Sequence, residues 1–512
     1  MKKERKLNFN IPMHILAVLD ELQTAGFEVY LVGGCVRDLL MELTPKDWDI
    51  ATNALPEETQ KLFPDSVYEN QFGTVGIKIR KKENDMLEVV EIVEVTTYRV
   101  ESKYSDKRHP DEIKFAKTLE DDLSRRDFTV NALAMKVVID SKKNTPHPDP
   151  LLSKERGLDI VDYFGGQEDL EKKIIRAVGD AGERFNEDAL RMMRAIRFSV
   201  TLDFTIETKT FLAIQKNADN LRFISPERIK DELIKIILSK SPAKGIELLQ
   251  EAGILKIILP EIENGINVLQ SHHHYHGPYN TVYKHLVASL EKCPSGKLEV
   301  RLAALFHDIG KPQSKKGEGE NATFYNHEYI GERITKNILE RLKFSRRIID
   351  QVMLLVRNHM FYYNVDEVGE AGVRRVVQKI GLENIGDLID VRIADRLGSG
   401  VPKAVPYKLR HFQFMVEKVS QDPISAKQLK INGHDLMQEL AVIPGPKIGA
   451  ILAVLLSNVI DDPKLNEREN LLLMAKKLAK INVEDLRKMA EEKIKAEQKK
   501  EDELIKKKHK VS

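Results

Sequence analysis

Residues Leu31–Thr52 read LVGGCVRDLLMELTPKDWDIAT. Val29–Val32 is a short strand that enters Gly33–Gly34, and a helix follows. Backbone amides at Gly33 and Gly34, bare of side chains, can approach a phosphate chain closely. Arg37, at the start of that helix, adds a guanidinium able to make charge-assisted contacts to phosphate. Asp47 and Asp49 stand two residues apart. On an extended strand, residues at that spacing point the same way, so both carboxylates are expected to face one site. Such a pair suits Mg²⁺, a hard ion that takes oxygen ligands. Two such ions can activate a hydroxyl nucleophile and stabilise a leaving pyrophosphate. A third carboxylate is wanted, and Glu94 in EVVEIVEV (Glu88–Val95) is the candidate. Two aspartates at this spacing are also common in surface turns; the glycine block upstream is what favours a site.

Around this stretch the first 140 residues mix helices and strands. Residues 11–25 carry apolar positions at helical spacing, while Val75–Ile79 and Val89–Val95 read as strands. Val130–Ile139 fits a helix start or a strand. Residues 140–157 are polar and contain prolines, as a surface loop or insertion does. From about 168 the pattern is helical almost throughout. Asp188–Val200 and Pro226–Leu238 are amphipathic, with Ser225 expected as the N-cap and Pro226 at the first helical position. A His-rich segment with Gly and Pro over Gly265–Pro278, and a second break over Gly398–Pro406, suggest boundaries. Residues 482–512 are charged, with alternating sign, and read as a solvated helix or frayed tail.

The chain has 512 residues, enough for three or four domains. It is 42% hydrophobic and 31% charged, the balance of a helix-rich globular protein. With a net charge of only +2, any nucleic-acid site must be a local patch. Two cysteines, Cys35 and Cys293, exclude a disulfide framework or a CxxC zinc pattern and fit a reducing, cytoplasmic setting. The basic start MKKERK is not followed by an apolar core, since Asn8, Asn10, His14 and Asp20 interrupt it. No apolar run reaches the ~18 residues of a membrane span, so no membrane partner is expected.

Two further blocks accompany the first: SRRDFTVNALAM (Ser124–Met135) and GDAGERFNEDALRMMRAIRF (Gly179–Phe198). The three, in this order, resemble the class II, bacterial-type tRNA nucleotidyltransferases and poly(A) polymerases, most of all the CCA-adding members. The resemblance is close over residues 25–240. It implies an α/β nucleotidyltransferase head with a polymerase-beta-like mixed sheet, followed by an all-α neck, an HD domain and a tail. It also implies roles. Asp47 and Asp49 would hold the catalytic Mg²⁺. Gly33 and Gly34, with Arg37, Arg126, Arg194 and Arg197, would contact the nucleotide, chiefly its phosphates, and Asp127 would help fix the ribose. Glu187-Asp188-x-x-Arg191 matches the family's base-reading motif.

The chemistry of that motif is consistent. A carboxylate only accepts hydrogen bonds and a guanidinium only donates them. Cytosine and adenine both offer an amino donor beside a ring-nitrogen acceptor, and uracil and guanine offer the reverse. Asp188 and Arg191, three apart on one helix, would share a face and satisfy either C or A. A mismatch would leave buried polar groups unsatisfied at ~1–3 kcal/mol each. An exposed salt bridge is the plain alternative for the same two residues.

The segment Thr96–Phe115 resembles the family's flexible loop needed to add the terminal A, which argues against a CC-only enzyme. Tyr68–Ile79 (YENQFGTVGIKI) resembles the CCA-adding members rather than poly(A) polymerases. Expected partners are therefore tRNA, CTP and ATP. Alternatives are an A-adding enzyme, a poly(A) polymerase, or an HD phosphohydrolase with an RNA-binding head.

A second constellation follows: His285, His307-Asp308, His327, His359 and Asp395. This order resembles the HD superfamily of metal-dependent phosphohydrolases. Imidazoles and carboxylates on facing helices can hold transition-metal ions, which lower the pKa of a bound water. Lys311, just after the HD pair, is able to contact a phosphate, and His272–His274 with His276 stay unassigned. Finally, Ser425–Leu472 resembles the family's tRNA-binding C-terminal segment, where the Gly445–Gly449 turn opens a helix. The expected division is head 1–145, neck and body 146–265, HD domain 266–400, C-terminal module 401–480 and charged tail 481–512.

Overall fold

The computed structural model describes residues 10–69, 73–83, 86–102, 112–137, 158–270, 278–318, 322–365, 367–420, 425–440 and 443–490. The insertion at 140–157, the tip of the Thr96–Phe115 segment, the His272–His276 cluster and the tail beyond 490 lie outside them. Contacts divide the chain into two compact units. One runs to Glu263 and includes Arg341–Lys343; the other holds Asn264–Glu340 and the chain from Phe344 on.

The first unit is built on a mixed sheet. Its strands are β1 (Val29–Val32), β2 (Asp49–Thr52), β3 (Ser66–Glu69), β4 (Thr74–Glu83), β5 (Met86–Thr97), β8 (Leu133–Val137) and β9 (Leu158–Asp162), in the spatial order β3-β4-β5-β2-β1-β8-β9. Between β5 and β8 in the chain, β6 (Arg99–Ser102) and β7 (Glu112–Phe115) form a separate antiparallel pair. Among the described residues, only β2 and β5 run parallel within the large sheet, with Asp49 opposite Glu94. β1 lies antiparallel to β2 on one side and to β8 on the other.

Alternation sets which face each residue covers. Leu31, Ile50, Leu133 and Met135 pack under the helix Met13–Thr24, through its Ile15, Leu19 and Leu22. Val32, Ala51 and Ala134 face the other way, into a second cluster with Tyr98, Leu119 and Leu123. Being buried on both faces, the central strands read as apolar runs rather than strict alternations. The open segment Val130–Ile139 resolves into a 3₁₀ turn over Thr129–Asn131 and then β8.

Helices follow in the same unit. Leu190–Leu202 buries Met192, Met193, Ile196 and Val200 and keeps Arg191, Arg194 and Arg197 on a different stripe. Pro226–Ile237 begins at Pro226 as expected, but the Ser225 side chain makes no capping bond. The helix is seated by packing, with Ile229, Leu233, Ile236 and Ile237 buried.

The second unit is helical. Val282–Glu291, Leu298–Phe306, His327–Arg341, Arg346–Asn358 and Leu382–Gly398 surround one polar centre. After the break at 399–406 comes Tyr407–Val419, and then the C-terminal module, with Gly433–Leu440, Pro446–Asp461 and Arg468–Leu478. The expected charged tail starts too early. Leu486 is fully buried in that module's core, because one apolar residue at the right helical position is enough to dock an otherwise charged segment.

Close approach at Gly310 fixes the polar centre. A Cβ there would lie 2.1 Å from the carbonyl oxygen of His327 and 2.6 Å from the amide of Gly331. Gly310→Ala is therefore expected to destabilise the second unit by about 1–3 kcal/mol, the usual cost of overpacking. Denaturant unfolding measures this, and an unchanged midpoint would contradict the packing described.

Candidate functional site

Gly33 turns the chain from β1 into the helix Gly34–Leu40 with φ +78°, a conformation that favours glycine. A Cβ on Gly33 would meet Arg126 Nη1 at 2.4 Å and stand 3.6 Å from Asp49 Oδ2. A carboxylate, a guanidinium and bare backbone thus meet at one point. Asp49 is the first residue of β2, and its ladder partner Glu94 is the next carboxylate across the sheet. Asp47 differs from expectation. It lies in the bend before β2 rather than in the strand, so no ladder aligns it with Asp49. The buried Trp48 between them anchors that bend in the core.

Burial pushes the Asp49 carboxyl above the usual carboxylate range; the Arg126 charge opposes this and the Asp47 charge adds to it. The folded chain therefore holds this proton more tightly than the unfolded chain. The stability it contributes is present at low pH and is lost as pH rises through the folded-state value. At neutral pH the ionised group is a net cost to the metal-free protein. Asp49→Asn should raise the melting temperature measured in EDTA, and a lowered one would contradict the burial argument.

Behind this point the arginines are held in a chain of bonds. Arg37 Nη1 donates to Asn131 Oδ1 (2.6 Å), Asn131 Nδ2 donates to Asp127 Oδ1 (3.2 Å), and Arg194 Nε donates to Asp127 Oδ2 (2.7 Å). Burial works to raise the Asp127 carboxyl, but Arg194 overrides it and holds the group below its ordinary value. Arg37, Arg194 and Arg197 also gather on the Phe198 ring, at 5.3, 5.5 and 3.8 Å from its centroid. Cation–π attraction keeps three like charges together there. Arg197 Nε lies 2.6 Å from Glu232 on the helix Pro226–Ile237. Asn131 and Glu232 were not singled out from sequence, although Asn131 stands inside the quoted SRRDFTVNALAM block.

The expected Asp188–Arg191 face is not formed. Asp188 caps the end of the helix Ala181–Glu187 and precedes Leu190–Leu202, so the two residues do not share a helix. Asp188 accepts from the Leu190 amide (3.1 Å) and from Arg228 Nη2 (2.7 Å). Arg191 instead donates to Glu187 Oε2 (2.6 Å) and to the Arg125 carbonyl (3.2 Å). Arg228 is a partner that helical spacing does not reveal, because it lies forty residues away.

In the second unit the six expected HD residues do converge. His285 Nε2 and His307 Nε2 are 2.9 Å apart, and His327 Nε2 and His359 Nε2 are 3.3 Å apart. Asp308 lies between the pairs, with Oδ2 3.2 Å from His285 and Oδ1 3.1 Å from His327. Asp395 Oδ1 stands 3.3 Å from His285 Nε2. The Nδ1 atoms of His307, His327 and His359 each sit against the carbonyl three residues back, at 2.9, 2.7 and 2.7 Å. In a neutral ring an Nδ1–H donated there would turn the Nε2 lone pair to the centre, the tautomer a metal ligand requires. Burial would lower the His307 pKa, but Asp308 and Asp395 push it up to about 10. Burial pushes His359 down to about 4 against its bond to Asp308. Lys311 is engaged inward: its Nζ lies 2.5 Å from Asp308 Oδ2 and 2.7 Å from Gln270 Oε1.

Three family models match the chain. The "Poly A polymerase head domain" matches residues 29–176, the "Probable RNA and SrmB- binding site of polymerase A" residues 203–266, and the tRNA nucleotidyltransferase domain 2 residues 322–475. The CCA-adding enzyme of Ligilactobacillus salivarius is 34% identical, over 91% of this chain and 97% of its own length. That of Lactococcus lactis is 32% identical, over 90% and 96%. The structure of the Bacillus stearothermophilus CCA-adding enzyme in complex with CTP superposes with a TM-score of 0.63 at 26% identity, covering 92% of this chain and 98% of that one. The chain belongs to the CCA-adding enzymes.

Proposed function

We propose that the chain completes tRNA 3′ ends, adding CMP and AMP from CTP and ATP with release of pyrophosphate. Nucleotidyltransferases of this family are metal-dependent. The observation that carries the reading is the meeting of Asp49, Arg126 and the bare backbone of Gly33 at one point. The donor set fits Mg²⁺: hard carboxylate oxygens of Asp47 and Asp49, with Glu94 opposite in the sheet. Bound there, the ion would supply positive charge at the reacting phosphate. The side chains do the rest. Gly33 and Gly34 let the triphosphate approach the backbone, and Arg37, Arg126, Arg194 and Arg197 neutralise and orient it. Asp127, fixed between Asn131 and Arg194, would receive a ribose hydroxyl. The tRNA 3′-hydroxyl then attacks the α-phosphorus and the pyrophosphate oxygen leaves. Glu187, Asp188 and Arg191 select the base; Asp188 and Arg191 would exchange their present partners, Arg228 and Glu187, for the base edge.

Pyrophosphate release with single nucleotides tests this. On a tRNA lacking its terminal CCA, CTP alone should support release that stops after the cytidines. ATP alone should support none until the tRNA ends in CC. Continuous release with ATP on any RNA would favour a poly(A) polymerase instead.

The convergence of the Nε2 atoms favours a second activity, an HD phosphohydrolase. His285, His307, Asp308, His327, His359 and Asp395 would hold one or two transition-metal ions, whose charge would activate a water toward phosphorus. No helix among the described residues is long and apolar enough to cross a membrane, and a cytoplasmic setting matches a tRNA substrate.

A further inference from the structure

The short helix Leu119–Ser124 carries a buried carboxylate of its own. Thr118 caps this helix, its Oγ1 accepting from the Asp121 amide at 3.3 Å, and Leu119, Asp122 and Leu123 are buried. At three-residue spacing Asp122 shares the core face of Leu119, so an ionisable group is drawn in beside an apolar one. Asp122 is 1% exposed. A carboxylate so far from water is costly unless it is paired and hydrogen-bonded.

Its two oxygens are occupied differently. Oδ1 accepts from Arg125 Nη2 (2.8 Å) and Nε (3.1 Å), and from the Arg99 amide (3.4 Å). Arg99 opens β6, and Tyr98 just before it donates its amide to the Thr52 carbonyl at the end of β2 (2.8 Å). Through these bonds Oδ1 is fixed relative to the strand that begins at Asp49. Oδ2 has no hydrogen bond among the described residues and faces Arg126 Nη2 at 3.6 Å. Arg126 Nε is likewise buried without one. The other end of that guanidinium, Nη1, lies over Gly33. Burial works to raise the Asp122 carboxyl, but Arg125 and Arg126 override it and hold the group below its ordinary value.

A guanidinium on a long, flexible stem has to be aimed, and its planar fork can meet two anions at once. We infer that Asp122 is a positioning residue for nucleotide addition, whose Oδ2 holds one arm of the Arg126 fork so that the other meets the incoming triphosphate over Gly33. This rests on the proposed seat of the triphosphate at that turn. Without the charge on Asp122, Arg126 would turn to Asp49, whose carboxyl it already draws downward. The phosphate would then lose a cation, and Asp49 would be engaged by a neighbour.

The test uses the full chain with Asp122→Asn, which keeps the shape of the side chain and removes its charge. Labelled CTP is titrated by equilibrium dialysis in EDTA, and unlabelled cytidine is titrated against it. Loss of one charge-assisted phosphate contact should weaken CTP at least about tenfold. Cytidine has no phosphate for Arg126 to meet and should stay within about twofold. Equal weakening of CTP and cytidine would show a general loosening of the pocket and overturn the aiming role, as would an unchanged affinity for CTP. Removing one partner of a buried pair leaves an uncompensated charge and can unfold a protein. Where it does, Asp122→Asn combined with Arg125→Gln takes out one cation together with the carboxylate, and the same split between CTP and cytidine is expected. Incorporation of CMP into tRNA by the wild-type protein is measured apart. Its absence would overturn the proposed function, and the binding arm would still decide the part played by Asp122.

Discussion

Asp49→Ala should abolish nucleotide incorporation, by about 10³-fold or more, while tRNA binding stays within about twofold. The size follows from the part the carboxylate plays. A metal-held charge at a reacting phosphate supplies several kcal/mol, and each 1.36 kcal/mol is a factor of ten in rate. The side chain stands at the first residue of β2, close to Gly33 and Arg126, where the proposed reading puts the metal. Binding of the tRNA body should persist because phosphate contacts spread over the whole RNA-binding surface dominate affinity. Single-turnover incorporation and a filter-binding curve on the same preparation separate the two effects. Near-normal incorporation would remove Asp49 from the catalytic centre.

The second large effect is expected at His307. His307→Ala should lose most of the bound transition metal and at least about 10²-fold of any phosphate release, with nucleotide addition retained. His307 is fully buried, its Nδ1 is fixed on the Ala304 carbonyl, and its Nε2 lies 2.9 Å from that of His285. Removing it takes away one ligand and leaves a void between the others. Metal content by elemental analysis, beside a melting curve with and without added Mn²⁺ or Ni²⁺, reads this directly. A ligand that binds only the folded state raises the melting temperature, so the wild-type protein should show a rise and the variant should not. Equal metal content in both proteins would contradict the assignment.

Much of this was legible in the sequence because it is local. Val29–Val32 into Gly33–Gly34 could only be a strand entering a glycine turn, and β1 with the helix Gly34–Leu40 is what forms. The arginine stripe 191, 194, 197 follows from helical period, as does the buried stripe beside it. The His and Asp residues that converge in the second unit were legible in their order, through the resemblance that order carries. What the sequence hid is set by distant partners. Nothing near Asp188 announces Arg228, and nothing near Arg37 announces the Asn131–Asp127–Arg194 relay. Asp47 looked like a strand residue because alternation cannot say where a strand begins; Trp48, drawn into the core, lets the chain bend first.

The central claim is that one chain completes the whole terminus. Sequencing of product 3′ ends tests it most directly, using the purified protein with CTP and ATP and three tRNAs: one ending at the discriminator base, one with a following C, and one with CC. All three should become CCA and then stop. Extension of the CC form alone, by a single A, would contradict the claim and leave an A-adding enzyme that needs another protein for the cytidines.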